Sequence, residues 1–507
     1  MEQRHACRCP TEGPADANEV RDLNTTATPE QMQGTGITVH NDIFINGEWV
    51  KSSGRDTIAV VNPATEESIA EVVRGTAEDV DRAARAAARA FPAWSQTPVE
   101  GRAKALRRLA DLIEGRADEI TRLIISEVGQ PIAFAADAQT GVAVRDLRNF
   151  AESLDAVRWQ EQVEDFIVRR EPAGVVGAIT AWNGPLRSIC LKAGAAMAAG
   201  CTVVLKPSEV APLSAYIFAA LVNEAEIPAG VFNLVSGTGP EVGEAIASHP
   251  LVDVVSLTGS VRAGSRVMEL ASASIKRVAL ELGGKSANII LDDADLERAV
   301  TVGLDDAFRN SGQVCGGLSR MLVPRVRMAE AEEIAVRKAE SFVIGDPLDP
   351  ATTMGPVISE RQRDAIQAYI RSAQADGVRM LIGGPQAPAG LERGYYVTPT
   401  VFSADNNVRI AREEIFGPVN VMIPFDGEED ALAIANDSVY GLAGAIWSGD
   451  PERARGVAAR LRTGRIRING TPINMKAPHG GFKRSGIGRE MGRYGIEEFL
   501  EYKSVIG

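Results

Sequence analysis

The 507-residue chain has few of the residues that build disulfide or metal frameworks. Its five cysteines are Cys7, Cys9, Cys190, Cys201 and Cys315, and its four histidines are scattered along the sequence. Disulfide-stabilised secreted domains are cysteine-dense, so this sparse usage excludes such a scaffold and favours a reducing, cytoplasmic setting. A structural zinc site needs four ligands on a fold, and no Cys/His cluster has zinc spacing, so we expect no metal.

Long apolar runs and an excess of positive charge are also missing. The longest apolar runs, such as Ile217 to Val222, fall far short of the ~18 residues that span a bilayer, so we expect no membrane segment. The net charge is −13, from 54 Lys+Arg against 67 Asp+Glu, which disfavours a nucleic-acid partner. The remaining composition is that of a soluble globular protein with two or three domains.

The chain begins with a polar stretch and then becomes regular. Residues 1–40 have no apolar period, which predicts a flexible N-terminal extension. Folded sequence is expected from about Ile43, and Asn46-Gly47 between two apolar runs predicts a β-hairpin. Helices are predicted up to Trp159. Asp165 to Pro172 alternates charged and apolar residues, which predicts an edge strand.

From Gly174 onward, short β-rich runs alternate with helices. This rhythm predicts βαβ units and a parallel sheet that is covered on both faces. Such a sheet binds its ligand at the carboxyl ends of its strands. A second alternating set, from about residue 281 to 469, is long enough for a second α/β domain, and the chain is expected to end in a strand.

Three segments at predicted strand ends are candidates for cofactor binding. Gly237 to Gly243 lacks the G-x-G-x-x-G spacing, and a plain strand-to-helix turn explains it equally well. Ser260 opens a predicted helix, where it either meets a phosphate or serves as a simple N-cap. Lys206 and Glu209 form either a ribose-binding pair or a surface ion pair, and their position at a strand end favours the former.

Three residues carry possible acyl-transfer chemistry. Cys315 follows a predicted helix and lies among small and amide residues, but a lone cysteine is more often an inert buried hydrophobe than a nucleophile. Glu281 is either a buried base with a raised pKa or a strand-end carboxylate in solvent. Asn183 is either an oxyanion donor or a turn residue before Gly184.

Together these motifs resemble the aldehyde dehydrogenase superfamily, in its hydrolytic, non-acylating branch, over about residues 41–507. The most specific matches are Leu280 to Lys285, Asn310 to Cys315 and Glu413 to Val419, in the family's order and near its spacing. The resemblance implies an α/β fold with a parallel-sheet dinucleotide-binding domain, an α/β catalytic domain and a small β bridging element. The implied ranges are 41–160 and 172–280 for the NAD-binding domain, 281–485 for the catalytic domain, and 161–171 with 486–507 for the oligomerisation element of a homodimer or homotetramer.

The resemblance also implies roles in NAD-dependent oxidation of an aldehyde to a carboxylic acid. Cys315 attacks the aldehyde, Asn183 holds the oxyanion, and Glu281 activates the water that hydrolyses the thioester left by hydride transfer. The presence of Glu281 favours acid release over CoA acylation, and Glu209 favours NAD, with NADP possible. The implied cofactor-binding residues are Trp182, Lys206, Glu209, Gly239, Thr258, Gly259, Ser260, Leu282, Glu414 and Phe416.

Three positions concern the substrate, and two of them, Gly184 and His479, depart from common family patterns. Gly184 and His479 stand where many members have aromatic residues, so we expect a wider or softer aldehyde tunnel. Arg309 matches a position that grips a carboxylate in succinic-semialdehyde members, and the second arginine of that pattern is absent at Leu191, although Arg187 lies one helical turn earlier. Arg309 either binds an acidic aldehyde or makes a structural ion pair.

A non-catalytic paralogue is the remaining alternative of a different class. Such relatives tend to lose the nucleophile or the base. Both Cys315 and Glu281 are present in this chain. The intact pair therefore favours an enzyme.

Overall fold

The computed structural model describes residues 32–33 and 37–506, which form a mixed α/β fold with four β-sheets. The central element of the first half is an eight-stranded sheet in which five consecutive strands are parallel. Across the sheet the strands are Gly486–Ile487, Arg277–Glu281, Val254–Thr258, Val175–Ile179, Thr202–Lys206, Phe232–Leu234, Asp42–Ile45 and Glu48–Lys51. The predicted parallel sheet is confirmed.

The strand order of this sheet creates a cleft. From Val175–Ile179 the chain moves to one side through two strands, and it then returns to the other side with Val254–Thr258. The helices after neighbouring strands therefore lie on opposite faces, and a crevice opens between them at the carboxyl ends. This crevice is where the predicted site segments begin.

A seven-stranded sheet organises the second half, and all its neighbouring strands are parallel except for one edge pair. Its strands in order are Arg379–Ile382, Thr400–Ser403, Val419–Phe425, Arg320–Pro324, Ala287–Ile290, Ala443–Trp447 and Arg465–Ile468. Adjacent residues of one strand pack into different cores, as Ile289 and Ile290 do on opposite faces. Val175 and Val176 do the same in the first sheet. Both sheets are thus covered on two faces.

A three-stranded antiparallel sheet contains Leu500–Ile506, Phe166–Pro172 and Gln160–Val163, in that order. Phe166–Pro172 is therefore the central strand, and the predicted edge position is wrong. Its charged residues do not mark an edge, because no residue of this strand is buried in the single chain. Both faces of the strand tolerate charge for that reason.

A four-stranded sheet contains Met32–Gln33, Ile37–His40, Ser68–Val73 and Thr57–Val61. Ile37–His40 pairs with Ser68–Val73, so the predicted extension through residue 40 is too long at its carboxyl end. The β-branched residues Ile37, Thr38 and Val39 favour a strand, although the segment is too short to show a period. The rest of the predicted extension, residues 1–31 and 34–36, lies outside the described residues.

Helices connect and cover the sheets. Ala77–Ser95 begins with a capping box between Thr76 and Asp79. The other α-helices are Val99–Gly115, Ala117–Val128, Ile132–Ala135, Val142–Ser153, Pro185–Ile189, Ala195–Ala199, Leu213–Glu224, Glu244–Ser248, Val261–Ser272, Leu296–Phe308, Met328–Glu340, Glu360–Ala375, Arg409–Arg412, Glu428–Asn436, Pro451–Arg460 and Gly492–Glu497. None of these described helices is long and apolar enough to cross a membrane.

Short π-helical and 3-10 segments complete the helical structure. The π-helical turns are Ala136–Gly141, Cys190–Gly194 and Gly239–Gly243, and the 3-10 turns are Leu154–Ala156, Arg309–Gly312, Arg325–Arg327 and Lys483–Ser485. Cys190–Gly194 joins Pro185–Ile189 to Ala195–Ala199, so these segments form one continuous helix with a π-turn in its middle. Such π-turns are frequent near functional sites.

Candidate active site

Cys315 lies in a strained loop between Leu296–Phe308 and the strand Arg320–Pro324, and its side chain is half-buried. Asn310, Ser311 and Gly312 have φ values of 50°, 56° and 73°, three left-handed residues in a row. A Cβ on Gly312 would lie 2.0 Å from the Gly417 carbonyl oxygen, so only glycine fits there. Left-handed backbone at non-glycine residues is costly and persists where surrounding contacts fix it.

Amide side chains supply those contacts. The Asn183 Nδ2 donates to the Gln313 carbonyl oxygen at 3.0 Å, and the Asn310 Nδ2 donates to the Asn183 carbonyl oxygen at 3.3 Å. The Gln313 Oε1 accepts from the Ile358 backbone N–H at 2.9 Å. A side-chain amide carries two N–H donors, so Asn183 keeps one for another acceptor beside the loop. Asn183 is therefore more than a turn residue.

Glu281 is the last residue of the strand Arg277–Glu281, and its side chain is buried. Neither carboxylate oxygen has a hydrogen-bond partner among the described residues. Burial, and then the charge of Glu490, raise the pKa of Glu281 well above its usual range, while Lys192 and Arg489 oppose the rise. Glu281 is thus not a solvent-exposed carboxylate at a strand end. Its raised pKa is the property expected of a buried base.

Two residues near Glu281 were missed by the sequence analysis. The Lys192 Nζ donates to the Glu490 Oε1 at 2.8 Å and to the Ser256 Oγ at 3.0 Å. Lys192 is buried, and apart from Arg187 it is the one cation in an otherwise small and apolar helix, which is a signal that the sequence offered. Glu490 carried no comparable signal. This ion pair places a compensated charge next to Glu281.

The electrostatic surroundings of Cys315 disfavour an ionised thiol in the free protein. Burial raises the pKa of Cys315 to about 11, and the carboxylate of Glu281 adds to the rise. The guanidinium of Arg465 opposes it, and Glu414 reinforces it. Cys315 therefore needs a specific source of positive charge to act as a thiolate near neutral pH.

His479 and Gly184 shape the space in front of these groups. The His479 Nε2 lies 3.6 Å from the Glu281 Oε2, while burial and then Arg465 hold the pKa of His479 well below its usual value, so the imidazole is neutral. A Cβ on Gly184 would have the Gln139 Oε1 at 3.8 Å and the Arg187 Cβ at 4.0 Å as its nearest neighbours. Room for a substituent therefore exists at Gly184, beside polar atoms.

The two arginines considered for acidic substrates differ in their surroundings. The Arg187 Nε donates to the Asp146 Oδ2 at 3.0 Å, so its charge is already compensated. Arg309 follows the helix Leu296–Phe308, is exposed, and forms no ion pair with any described residue. The structural ion pair considered for Arg309 is therefore not formed, and no contact joins Arg309 to Cys315 or Glu281.

The predicted cofactor residues lie at the cleft of the eight-stranded sheet, and they fit a dinucleotide. The buried Lys206 Nζ contacts the Glu209 Oε2 at 2.9 Å, and the Glu209 side chain remains 39% exposed. Burial raises the pKa of Glu209, but Lys206 and hydrogen bonds outweigh it and lower the pKa overall, so Glu209 stays ionised. It is an acceptor for hydroxyl groups at a strand end. No metal-binding group of three or more His, Cys, Asp or Glu residues occurs in the described chain.

The turn after Val254–Thr258 begins the helix Val261–Ser272. The Ser260 Oγ accepts from the Ala263 backbone N–H at 3.2 Å at the start of this helix, so Ser260 is an N-cap, as one interpretation expected. The Gly259 backbone N–H donates to the Glu281 carbonyl oxygen at 3.0 Å, which connects this turn to Glu281. Gly239 begins a π-helical turn, and a Cβ there would meet nothing within 4 Å. Backbone amides and open space at these helix starts suit a pyrophosphate.

The other side of the cleft comes from the second half of the chain. Burial raises the pKa of Glu414 to about 7, and its Oε1 accepts from the Gly284 backbone N–H at 3.0 Å. Trp182 and Phe416 pack edge to face with ring centroids 5.2 Å apart. The buried Leu282 follows Glu281, and its N–H donates to the Ser485 carbonyl oxygen. An apolar wall and a buried carboxyl group thus face the reactive residues.

Comparisons with known proteins agree with this geometry. The Aldehyde dehydrogenase family model matches residues 49–505. The chain is 48% identical to a 3-succinoylsemialdehyde-pyridine dehydrogenase from Pseudomonas sp, over 92% of this chain and 98% of that protein. It is similar to the solved structure of a mutant of aldehyde dehydrogenase C from Pseudomonas syringae in complex with NAD+ and octanal, with 47% identity, a TM-score of 0.92, and coverage of 94% of this chain and 97% of that one.

A second solved structure gives the same result. An aldehyde dehydrogenase of Mycobacterium tuberculosis complexed with NAD+ is 41% identical, with a TM-score of 0.91 and coverage of 93% of this chain and 99% of that one. The family match spans every predicted site segment, the whole seven-stranded sheet, and the eight-stranded sheet except Asp42–Ile45 and Glu48. The chain belongs to the aldehyde dehydrogenase family and is an oxidoreductase that oxidises aldehydes with NAD as its cofactor.

Proposed function

We propose that Cys315 is the nucleophile, Asn183 an oxyanion donor and Glu281 the hydrolytic base in the oxidation of an aldehyde to its carboxylic acid. The observation that carries this proposal is the convergence of the three residues. Asn183 is bonded to the loop of Cys315, and the charge of Glu281 acts directly on the Cys315 thiol. The experiment is Cys315→Ala, which abolishes NADH formation at 340 nm with every aldehyde, whereas substantial residual turnover contradicts the assignment.

The first chemical step is addition of the Cys315 sulfur to the aldehyde carbonyl carbon, which gives a thiohemiacetal. Negative charge develops on the former carbonyl oxygen. The free N–H of the Asn183 amide and the Cys315 backbone N–H are the donors that stabilise it. Because Asn183 is already fixed by its bond to Gln313, little reorganisation is needed when the charge appears.

Bound NAD supplies the hydride acceptor for this intermediate, and a thioester on Cys315 remains. Glu281 then removes a proton from water as the water attacks the thioester carbonyl carbon. Its two oxygens have no competing protein donors, and its raised pKa makes it a strong base. Release of the acid regenerates the Cys315 thiol.

The cofactor-binding residues are assigned by position. Lys206 and Glu209 hold the adenosine ribose, and the turns at Gly239 and at Thr258, Gly259 and Ser260 hold the pyrophosphate. Glu414 holds the nicotinamide ribose, with Trp182, Leu282 and Phe416 packed around the ring. The ionised Glu209 repels a 2′-phosphate, which favours NAD over NADP.

The substrate is an aldehyde with a broad substituent that occupies the space at Gly184. Support comes from the absence of any atom closer than 3.8 Å to a Cβ at Gly184 and from the polar Gln139 Oε1 beside it. The relative named for 3-succinoylsemialdehyde-pyridine is compatible with such a substituent, since that aldehyde carries an aromatic ring. Arg309 makes no contact that supports a carboxylate clamp.

The assembly and location remain parts of the proposal. The strands Phe166–Pro172 and Leu500–Ile506 expose Tyr502, Val505 and Ile506 in the single chain, which supports a homodimer or homotetramer built through this sheet. The ranges 161–171 and 486–507 are proposed as its oligomerisation element, although Gly486–Ile487 pair within the eight-stranded sheet. Sparse cysteine supports a cytoplasmic location.

A further inference from the structure

Arg465 begins the edge strand Arg465–Ile468 of the seven-stranded sheet. Ile466 and Ile468 pack against the core on one face, so the two arginines of this strand project from the other face. The Arg467 Nη2 donates to the Asp306 Oδ2 at 2.5 Å. Arg465 forms neither a hydrogen bond through its side chain nor an ion pair with the described residues, and its buried Nε has no acceptor. An uncompensated buried donor is costly, so its presence calls for a partner.

The nucleophile segment lies directly against this guanidinium. A Cβ on Gly316, the residue after Cys315, would be 3.3 Å from the Arg465 Nη2 and 3.4 Å from the Ala443 Cβ. A larger residue at 316 would push the guanidinium away. The absence of a side chain at Gly316 therefore brings a full positive charge next to Cys315.

The charged residues near Arg465, other than Cys315, already form ion pairs with other residues. Its charged neighbours are Cys315, Arg467, Asp306 and Arg187. Asp306 is bonded to Arg467, and Arg187 is bonded to Asp146. Among these neighbours, Cys315 is the group left to provide a negative charge for Arg465.

The groups that face Cys315 point to the same pairing. Glu281 and Glu414 both oppose formation of a thiolate, and Arg465 is the cation that favours it. His479 lies beside Glu281 but is neutral, because Arg465, Arg187, Arg489 and Lys192 all oppose its protonation. His479 therefore does not supply the positive charge that an ionised Cys315 needs.

We propose that the guanidinium of Arg465 is the electrostatic partner of the Cys315 thiolate and stabilises it before the aldehyde binds. The thiol proton leaves to solvent, the S–H bond breaks, and the electron pair stays on sulfur. No oxidant or second reactant is needed. This inference rests on the proposed role of Cys315 as the nucleophile and adds a residue that the family resemblance did not assign.

The test is the pH dependence of Cys315 alkylation by iodoacetamide in the full-length protein, without NAD or aldehyde. The labelled cysteine is identified by peptide mass, which separates Cys315 from the buried Cys190 and Cys201. Arg465→Met removes the charge and keeps the length, and Arg465→Lys keeps the charge. Arg462→Met is the matched control, because Arg462 is exposed on the preceding turn.

Arg465→Met is expected to move the labelling profile upward by about one pH unit, which lowers the rate at pH 7.5 about tenfold. Arg465→Lys is expected to restore much of that rate, and Arg462→Met to match the wild type. If Arg465→Met does not fold, Arg465→Gln provides a smaller charge-free variant, and the melting temperature of each variant is measured first.

Two results overturn the inference. One is an unchanged labelling profile in the charge-free variants, including the case in which only the KM for aldehydes rises. The other is equal loss of labelling in Arg465→Lys and Arg465→Met, which indicates a packing role. Failure of the nucleophile assignment is distinct, because Cys315→Ala would then retain turnover whatever Arg465 does.

Discussion

The Glu281 carboxyl group and the His479 imidazole lie 3.6 Å apart, and burial disfavours the charged form of both. Burial raises the pKa of Glu281, and burial together with neighbouring arginines lowers that of His479. The two groups are therefore not a resting ion pair. A buried, poorly solvated carboxylate is a stronger base than one in solvent, because burial disfavours its charged form.

Replacement of His479 by phenylalanine is expected to bury Glu281 further. A more deeply buried carboxyl group has a higher pKa, and the base form exists only above that pKa. The acid limb of the pH profile for steady-state turnover should therefore move to higher pH in His479→Phe. A shift to lower pH, or no shift, contradicts the expectation that His479 limits the burial of Glu281.

The charge of Glu490 is expected to set the working range of Glu281. Removing this negative charge stabilises ionised Glu281 and leaves Lys192 without its partner, and both effects lower the pKa of Glu281. Glu490→Gln should thus move the acid limb of turnover to lower pH. The control is Glu340→Gln at an exposed site, which should leave the profile unchanged.

Gly184→Phe is expected to lower activity selectively toward aldehydes with large substituents. An aromatic ring would fill the space near the Gln139 Oε1 and the Arg187 Cβ. The kcat/KM for aldehydes with an aromatic or branched substituent should fall about tenfold or more, while that for acetaldehyde changes little. Gly184→Ala is the matched small variant. Equal losses for all aldehydes would show that Gly184 does not select by size.

Glu209→Gln is expected to relax cofactor choice. The substitution removes the charge that opposes a 2′-phosphate but keeps a hydrogen-bonding side chain near the Lys206 ammonium group. The ratio of kcat/KM for NADP to that for NAD should rise about tenfold, because one repulsion between Glu209 and the 2′-phosphate is removed. An unchanged ratio would remove Glu209 from cofactor selection.

The sequence was sufficient to predict elements with a strong local pattern. The parallel sheet of alternating strands and helices forms from Gly174 onward, and the hairpin at Asn46-Gly47 forms with both residues at positive φ. The segments that contain Glu281 and Cys315 follow the strand Arg277–Glu281 and the helix Leu296–Phe308, so their positions at the ends of regular elements could be predicted. Ile37–His40 was missed because four residues carry too little pattern.

Long-range pairing was the part that the sequence did not reveal. Lys192 and Glu490 are 298 residues apart, and Glu490 has no local pattern that signals burial. Arg465 likewise lies in a short alternating strand, where an arginine usually faces solvent. Its proximity to Gly316 is visible only in the folded structure, because the two residues are far apart in the sequence. Charge compensation across such distances is decided by the fold and not by spacing.

The most direct test of the catalytic assignment is the mass of the protein during a single turnover of Glu281→Gln. The variant keeps the size of the side chain but lacks the base, so hydrolysis of the thioester should slow about 100-fold or more. Rapid mixing with NAD and an aldehyde should give a burst of NADH equal to the enzyme concentration. Acid-quenched protein should then carry the acyl group of the aldehyde on the peptide that contains Cys315. A burst without this adduct, an adduct on another peptide, or steady turnover at the wild-type rate would contradict the account.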